Sequence, residues 1–237
     1  MRVGWCRTAQ ESSAILPDPT PVQLEQDASP SRRNFQSCPA VKSTLRGFHS
    51  INSPFALRLR AELRGRAIRF IPVYPFTSLS EATLREIFRL EPRDSWRRDD
   101  APIIQIPSPY MFIADEPAEL EQSSPILAKT SSLNWRLIPG KFDIYSWQRP
   151  LNWAFEWDIS CGDLIVRMGE PLYYLRFWNA QGAVAKDLEL FEIPYSDELQ
   201  KMVRAIAGVT AFRRGTADLI KRTGERRSKK LLPDPGG

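Results

Sequence analysis

The sequence predicts a mainly β protein of the α+β class: an antiparallel β sandwich or barrel with one short internal helix and a C-terminal amphipathic helix. Short apolar runs bounded by Pro, Gly, Asn and Ser recur from Phe35 onward, which is typical of strands joined by turns. Residues 151–159 alternate apolar and polar side chains, as a half-buried strand does. Helical periodicity appears after residue 78 and again after residue 196.

Composition divides the chain into three parts. Residues 1–34 are rich in Pro, Ser, Gln and Asp, and their prolines interrupt any regular period, which predicts a disordered leader. Residues 35–212 form the predicted β-rich domain, which includes the start of the C-terminal helix. Residues 213–237 form a predicted basic tail.

The positive charge is concentrated near the end of the chain. Between Lys201 and Lys230 there are ten Lys or Arg residues and two acids, so this segment has a net charge of +8. The whole chain has a net charge of +5, so the rest of it carries −3. A basic tail on a mildly acidic body is a weaker case for nucleic-acid binding than a basic domain. We therefore expect an unknown protein or small-molecule partner, with nucleic acid possible but not favoured. Arg213 and Arg214 are candidate contacts for phosphates or an acidic partner, and the alternative is a solvated tail.

Cysteine usage and hydropathy indicate a cytoplasmic protein. Three widely spaced cysteines fit neither a disulfide framework nor paired zinc-ligand spacing. No apolar run approaches the length that spans a bilayer, and the amino terminus lacks the apolar core of an export signal. We expect no membrane partner, no metal and no cofactor.

The first predicted strands form a hairpin. Residues 55–60 and 66–70 alternate apolar with small or basic side chains on either side of Arg64-Gly65, which predicts two strands and a tight turn. Residues 103–106 and 110–113 predict two more strands, punctuated by prolines that favour edges or corners.

Helix-end signals define both predicted helices. Ser78-Leu79-Ser80-Glu81 has the S-x-x-E form of a capping box, which predicts a helix that starts there and stops at Pro92. Ser196, followed by two acids and then apolar residues at helical spacing, predicts the C-terminal helix.

The aromatic stretch from Leu133 to Trp178 holds five of the seven tryptophans. Residues 151, 153, 155, 157 and 159 are apolar, so we expect their side chains to form core rather than a surface that stacks bases or sugars. Pro139-Gly140 predicts a type II turn before a strand at 142–147. Gly169-Glu170-Pro171 predicts a turn that joins strands at 164–166 and 172–175.

Four acids lie close in sequence and are the candidate binding residues: Glu156, Asp158, Asp163 and Glu170. Paired carboxylates can act as acid and base or bind magnesium. The alternative, which we favour, is a solvated polar face of the aromatic strand.

Other nucleophiles and ligands are few. His49 is the single histidine, and we expect it in a loop or in the core. For Cys38 we expect a small buried or inert thiol. Common nucleotide, hydrolase and zinc-protease motifs are absent from the sequence, so a catalytic residue is not assigned.

Short motifs resemble those of uncharacterised proteins from bacteria and tailed phages, over residues 35 to 195. They are Cys38-Pro39-Ala40-Val41, Ser53-Pro54-Phe55, Leu137–Ile144 and Met168–Leu175. That resemblance implies a β-rich domain of unknown function. The Pro139-Gly140 and Gly169-Glu170 positions are also similar to those of the trimeric dUTPase and dCTP deaminase group, although that group's phosphate-binding and catalytic motifs are not recognisable.

These observations favour a non-catalytic binding or accessory module of phage or bacterial origin. One alternative is a nucleotide-processing enzyme on a dUTPase-like fold, with Asp163 and Glu170 among its acids. Another is a phage structural component, which would self-associate.

Overall fold

The computed structural model describes residues 1–8, 16–22, 38–65, 67–125, 128, 134–206, 225 and 230–234. The strands are β1 (Arg2–Arg7), β2 (Thr20–Pro21), β3 (Phe48–Asn52), β4 (Leu57–Arg64), β5 (Ala67–Pro72), β6 (Arg89–Leu90), β7 (Ile103–Pro107), β8 (Tyr110–Ile113), β9 (Ala118–Ser123), β10 (Trp135–Leu137), β11 (Gly140–Asp143), β12 (Asn152–Trp157), β13 (Leu164–Val166), β14 (Pro171–Asn179) and β15 (Glu189–Glu192). The helices are α1 (Pro39–Leu45), α2 (Glu81–Ile87) and α3 (Asp197–Ile206).

The strands form four sheets, in the orders β15-β1-β8, β10-β12-β7-β6, β11-β9-β14-β3-β2 and β13-β4-β5. The predicted mainly β, α+β class is confirmed, and in the described part of the chain none of these sheets closes into a barrel. All strand pairs are antiparallel except β1 with β15, which is parallel. A parallel pair needs a long crossover connection, and here nearly the whole domain lies between the two strands.

The start of the chain corrects the predicted disordered leader. Residues 2–7 form the central strand of the β15-β1-β8 sheet, with Val3, Trp5 and Cys6 buried. Val3 and Trp5 pack into the main core, and Cys6 packs into a second apolar cluster on the other face. The apolar run is too short to be recognised as a strand from the sequence. Its burial depends on the neighbouring strands and not on its own pattern. Residues 9–15 and 23–34 lie outside the described residues.

The end of the chain corrects part of the predicted tail. Residues 230–234 lie against the β15-β1-β8 sheet, and Leu232 is buried in the second apolar cluster. The backbone N–H groups of Leu231 and Leu232 both donate to Asp115. This segment is therefore part of the folded domain, although it follows a basic stretch in the sequence.

The aromatic strand forms the centre of the main core, as predicted. In β12, Trp153, Phe155 and Trp157 are buried on one face, and Asn152, Ala154 and Glu156 lie on the other. Trp135 packs edge-on against Trp153, and Phe70 stacks on Trp157. The interpretation of these tryptophans as core is confirmed.

The turn signals were partly right. The hairpin β4–β5 is present, with Gly65 at φ +60°. Gly169 likewise has positive φ, in the turn between β13 and β14. Gly140 is not in the positive φ region that a type II turn needs there, and it begins β11. A Cβ at Gly140 would lie 2.5 Å from Phe142 Cζ, so close approach of this ring, not backbone freedom, requires glycine.

The two predicted helices are present, but α2 differs from its prediction at both ends. It ends at Ile87 and not at Pro92, because Arg89 and Leu90 pair with β7 as strand β6. The N-cap of α2 is Ser80, whose hydroxyl accepts from the Thr83 N–H, whereas the Ser78 hydroxyl donates to the Ala56 carbonyl. The capping box at Ser78 was therefore wrong by two residues, because tertiary contact with another loop occupies that hydroxyl. Helix α3 begins after Ser196 as predicted. Residues beyond 206 in the predicted helix lie outside the described ones, and α1 was not predicted.

Of the described helices, none has both the length and the apolar character needed to cross a bilayer.

Candidate functional site

The polar face of the β10-β12-β7-β6 sheet carries two adjoining cavities. Register places Arg89, Gln105, Ala154 and Ile138 in one row across the four strands. The next row on this face contains Glu156 and, opposite it on β10, Arg136. Because successive side chains of a strand alternate between faces, the aromatic core on one side requires this polar set on the other.

The first cavity, which we call the arginine–carboxylate pocket, has a volume of about 300 Å³. It is lined by Arg97, Arg98, Asn134, Arg136, Glu156, Asp158 and Cys161. Arg97 binds Glu156 through two nitrogens, with the Nε to Oε2 distance at 2.6 Å. Arg98 Nη2 donates to Asp158 Oδ2 at 2.6 Å and its Nε donates to Asp100 Oδ1 at 2.9 Å.

Both acids in this pocket are held in the ionised form. The hydrogen bond from Arg97 lowers the pKa of Glu156. Hydrogen bonds from the Ser160 hydroxyl and then from Arg98 lower the pKa of Asp158 to about 2. A general acid or base works best with a pKa near the operating pH, so these carboxylates are poorly suited to that role. They act instead as partners that orient the arginines.

The other two predicted acids lie elsewhere. Asp163 accepts from Arg58 Nε at 2.8 Å and from Arg60 Nε at 3.3 Å. Burial raises the pKa of Asp163, but these two hydrogen bonds outweigh it and lower the pKa overall. Glu170 lies in the turn after β13, where its Oε2 accepts from the Arg167 N–H at 2.9 Å. The structure therefore unites Glu156 with Asp158 but places Asp163 and Glu170 at opposite ends of β13.

Arg213 and Arg214, the predicted contacts of the basic tail, lie outside the described residues.

The second cavity, the Arg149 cleft, has a volume of about 550 Å³. Its walls come from the polar row of the sheet, from β11 and from the segment between β11 and β12: Arg89, Glu91, Gln105, Phe112, Gln122, Ile138, Pro139, Gly140, Phe142, Ile144, Trp147, Arg149, Pro150, Leu151, Asn152 and Ala154. Ligand pockets of about 300–1,000 Å³ with mostly apolar walls and a few converging polar groups are typical of small-molecule sites.

A row of amides forms one wall of this cleft. Asn152 Nδ2 donates to Gln105 Oε1 at 3.0 Å. Gln122, which is buried, donates from Nε2 to the Asn152 carbonyl at 2.9 Å. These bonds fix the orientation of Gln105 and Asn152 side chains and leave their second polar atoms for another partner.

Arg149 supplies a guanidinium to the cleft and lies against the ring of Trp147. The guanidinium carbon of Arg149 lies 4.9 Å from the centre of the Trp147 ring. Burial lowers the pKa of Arg149, although a guanidinium stays protonated in proteins. In the described part of the chain, no carboxylate forms an ion pair with Arg149 and no acceptor reaches the buried Trp147 Nε1. Buried charges are normally paired, so this arrangement is open to an anion.

Sequence reasoning missed this cleft. Its polar members come from β6, β7, β9, β12 and the segment before β12, and they are not neighbours in sequence. The sequence signal that could have indicated the cleft is the Trp147–Arg149 segment. There a cation follows several aromatic residues, just before β12, the most regular strand.

The remaining nucleophiles do not form a second centre. His49 is half-buried on β3, with its ring edge-on to Phe177. Cys38 and Cys161 are exposed, so Cys38 is not a buried thiol, and its inertness stays a prediction. Burial, followed by the charge of Glu192, raises the pKa of the Cys6 thiol to about 12. Within the described ranges there is no cluster of three potential metal ligands.

The chain matches no protein-family model, no curated protein and no solved structure. The resemblances to the bacterial and phage proteins and to the dUTPase group gain no support from these comparisons, so function is inferred from the geometry of the two cavities.

Proposed function

We propose that this chain is a non-catalytic binding module whose Arg149 cleft takes a small organic anion with an apolar body. The observation that carries the proposal is the half-buried guanidinium of Arg149, which has no carboxylate partner among the described residues. An anion in the cleft would offset the desolvation of this cation and would form charge-assisted hydrogen bonds with its guanidinium.

The walls favour an organic anion over a simple inorganic one. Ile138, Phe142, Ile144 and Pro150 supply apolar surface in the same cleft as Arg149. The amide row of Gln105 and Asn152 lies on the sheet side and can hydrogen-bond a polar substituent of the ligand. A carboxylate or a phosphate ester on a flat or aliphatic body fits this combination.

The lining of the cleft favours binding over catalysis. Among the described residues of its lining, Glu91 is the one titratable acid, and none is His, Cys, Ser, Thr or Lys. Nucleophilic or acid–base catalysis needs a nucleophile and a base, or two differently tuned acids, within reach of one another. Neither the arginine–carboxylate pocket nor the Arg149 cleft has Asp163 or Glu170 among its described lining residues, so neither cavity supports the enzyme alternative that used these two acids.

The test is ligand binding by the full chain, with benzoate and phenyl phosphate as anionic probes and benzamide as a neutral isostere. Saturable binding by calorimetry, together with a rise in melting temperature, is expected for the anions and not for benzamide. Arg149→Met should abolish it.

Arg136→Met is the matched control, because Arg136 is an exposed arginine on the same sheet face but belongs to the other pocket. The affinity of the Arg136→Met variant for the two anions should equal that of the unaltered chain. Loss of binding in Arg136→Met with retention in Arg149→Met would move the site to the arginine–carboxylate pocket. Absence of binding by both anions would reject the proposal.

A further inference from the structure

Strand β5 is an open edge of the β13-β4-β5 sheet. It pairs with β4 on one side, and in the described part of the chain no strand pairs with its other side. Exposed edges present unpaired backbone N–H and C=O groups that can pair with another strand.

The register identifies which backbone groups are open. The Val73 N–H donates to the Arg58 carbonyl at 2.9 Å, and hydrogen-bonded pairs recur every second residue in an antiparallel ladder. The backbone of Arg69 and Ile71 therefore faces β4, and that of Ile68 and Phe70 faces outward. Pro72, the next outward position, has no N–H to leave unpaired.

An apolar groove runs beside this edge. It has a volume of about 410 Å³, and its apolar lining includes Ile68, Phe70, Leu84, Phe88 and Leu90. Arg69, Glu81 and Arg85 also border it. Leu90, which is 42% exposed, belongs to β6, the edge strand of the neighbouring sheet. The groove thus lies between two sheet edges, and the residues whose backbone is open on β5 also present their side chains to it.

The two faces of the β4–β5 hairpin differ in chemistry. Leu59, Ala61 and Leu63 share a face with Ile68 and Phe70, because they are opposite them in the register. The other face carries Arg58, Arg60, Arg64 and Arg69 against Glu62, with Asp163 paired to the first two arginines. In the described residues Arg69 forms no ion pair.

We propose that β5 docks an extended segment of a partner protein in which aliphatic and acidic residues alternate. Added as a neighbouring strand, such a segment would bond to the outward backbone groups of Ile68 and Phe70. Its aliphatic side chains would enter the groove, and its acids would lie on the basic face beside Arg69. A second copy of this chain fits less well, because antiparallel pairing of β5 with itself brings its own basic face against an identical one.

The test uses three fluorescent hexapeptides and measures anisotropy with the full chain. The first alternates Glu and Val, the second alternates Lys and Val, and the third is the Glu–Val peptide with alternate backbone nitrogens methylated. The Glu–Val peptide should bind saturably, and each of the other two should bind about tenfold more weakly or not at all. Arg69→Glu should weaken binding of the Glu–Val peptide by about fivefold or more.

Ile68→Pro removes an outward N–H without removing a bond to β4. The variant should therefore fold normally and no longer bind the Glu–Val peptide. Circular dichroism melts check that it folds. Arg167→Glu, at an exposed arginine in a turn remote from β5 in sequence, is the matched control and should bind normally. Equal binding of the methylated peptide, or no binding of the Glu–Val peptide, would overturn the proposal. So would a concentration-dependent dimer in light scattering that Ile68→Pro abolishes, since a second copy would then be the occupant.

Discussion

Asp115 and Leu232 join parts of the chain that are 117 residues apart: the Leu232 N–H donates to Asp115 Oδ2 at 2.9 Å, and the Leu231 N–H donates to Oδ1 at 2.8 Å. The two bonds hold a short segment against the β15-β1-β8 sheet, where the Leu232 side chain enters the cluster formed by Met111, Ile113 and Ile193. Arg2 adds a bond to the Pro233 carbonyl at 2.8 Å.

Leu232→Ala should reduce the free energy of unfolding by about 2–4 kcal/mol, because it removes a fully buried side chain and leaves a cavity. Urea unfolding followed by circular dichroism measures this change. Leu63→Ala, at a leucine that is 48% exposed, is the control and should change stability by less than about 0.5 kcal/mol. Equal effects of the two substitutions would show that residues 230–234 do not contribute to folding.

Gly4→Ala should also destabilise the fold, by about 1–3 kcal/mol, since the new Cβ would lie 2.6 Å from Leu232 Cδ2. Shortening Leu232 removes the closest of these contacts, although Ile193 Cδ1 would still lie 3.0 Å from the new Cβ. The double variant Gly4→Ala/Leu232→Ala should therefore cost less than the sum of the two single changes. Strict additivity in a double-mutant cycle would contradict the contact.

The pH dependence of stability should contain a contribution from His49. Burial lowers the pKa of this imidazole below its usual 6.5, and a backbone hydrogen bond at Gly47 opposes the effect only in part. The unfolded chain then binds the proton more readily than the folded chain. The contribution is fully present above about pH 6.5 and is lost as the pH falls below that value.

His49→Gln should remove this component, so the difference between the two chains in stability at pH 7 and pH 5 is the measurement. His49 is the single histidine of the sequence, and carboxylate titration is common to both chains. If the two chains lose stability in parallel, His49 has no depressed pKa.

Arg149→Met should leave the ligand-free protein as stable as before or raise its stability by about 1 kcal/mol, because a desolvated cation without a carboxylate partner is replaced by an apolar chain of similar length. Arg176→Met is the contrast. Arg176 forms a two-pronged ion pair with Glu121, so its loss should cost about 1–2 kcal/mol. Thermal unfolding compares the stability of the two variants. A larger loss of stability for Arg149→Met than for Arg176→Met would mean that Arg149 has a structural role.

The local signals in the sequence were sufficient for several elements but not for β1, for α1 or for the assembly of the sheets. Alternation at β12 and the Gly65 turn of the β4–β5 hairpin could be read directly, because each depends on neighbouring residues. The acids Glu156 and Asp158 were correctly placed at the polar side of the aromatic strand. Their guanidinium partners, 59 and 60 residues away in Arg97 and Arg98, could not be identified.

The sequence by itself determined the β-rich class, the aromatic core strand and the start of α3, since periodicity and caps act over a few residues. Only the tertiary structure decided that β1 and Leu232 belong to the fold, that Asp163 and Glu170 lie apart, and that Arg149 faces a cleft without a carboxylate partner among the described residues. These outcomes depend on pairing between distant segments. No local pattern encodes which of two apolar runs will be neighbours, or which buried cation will be left for a ligand.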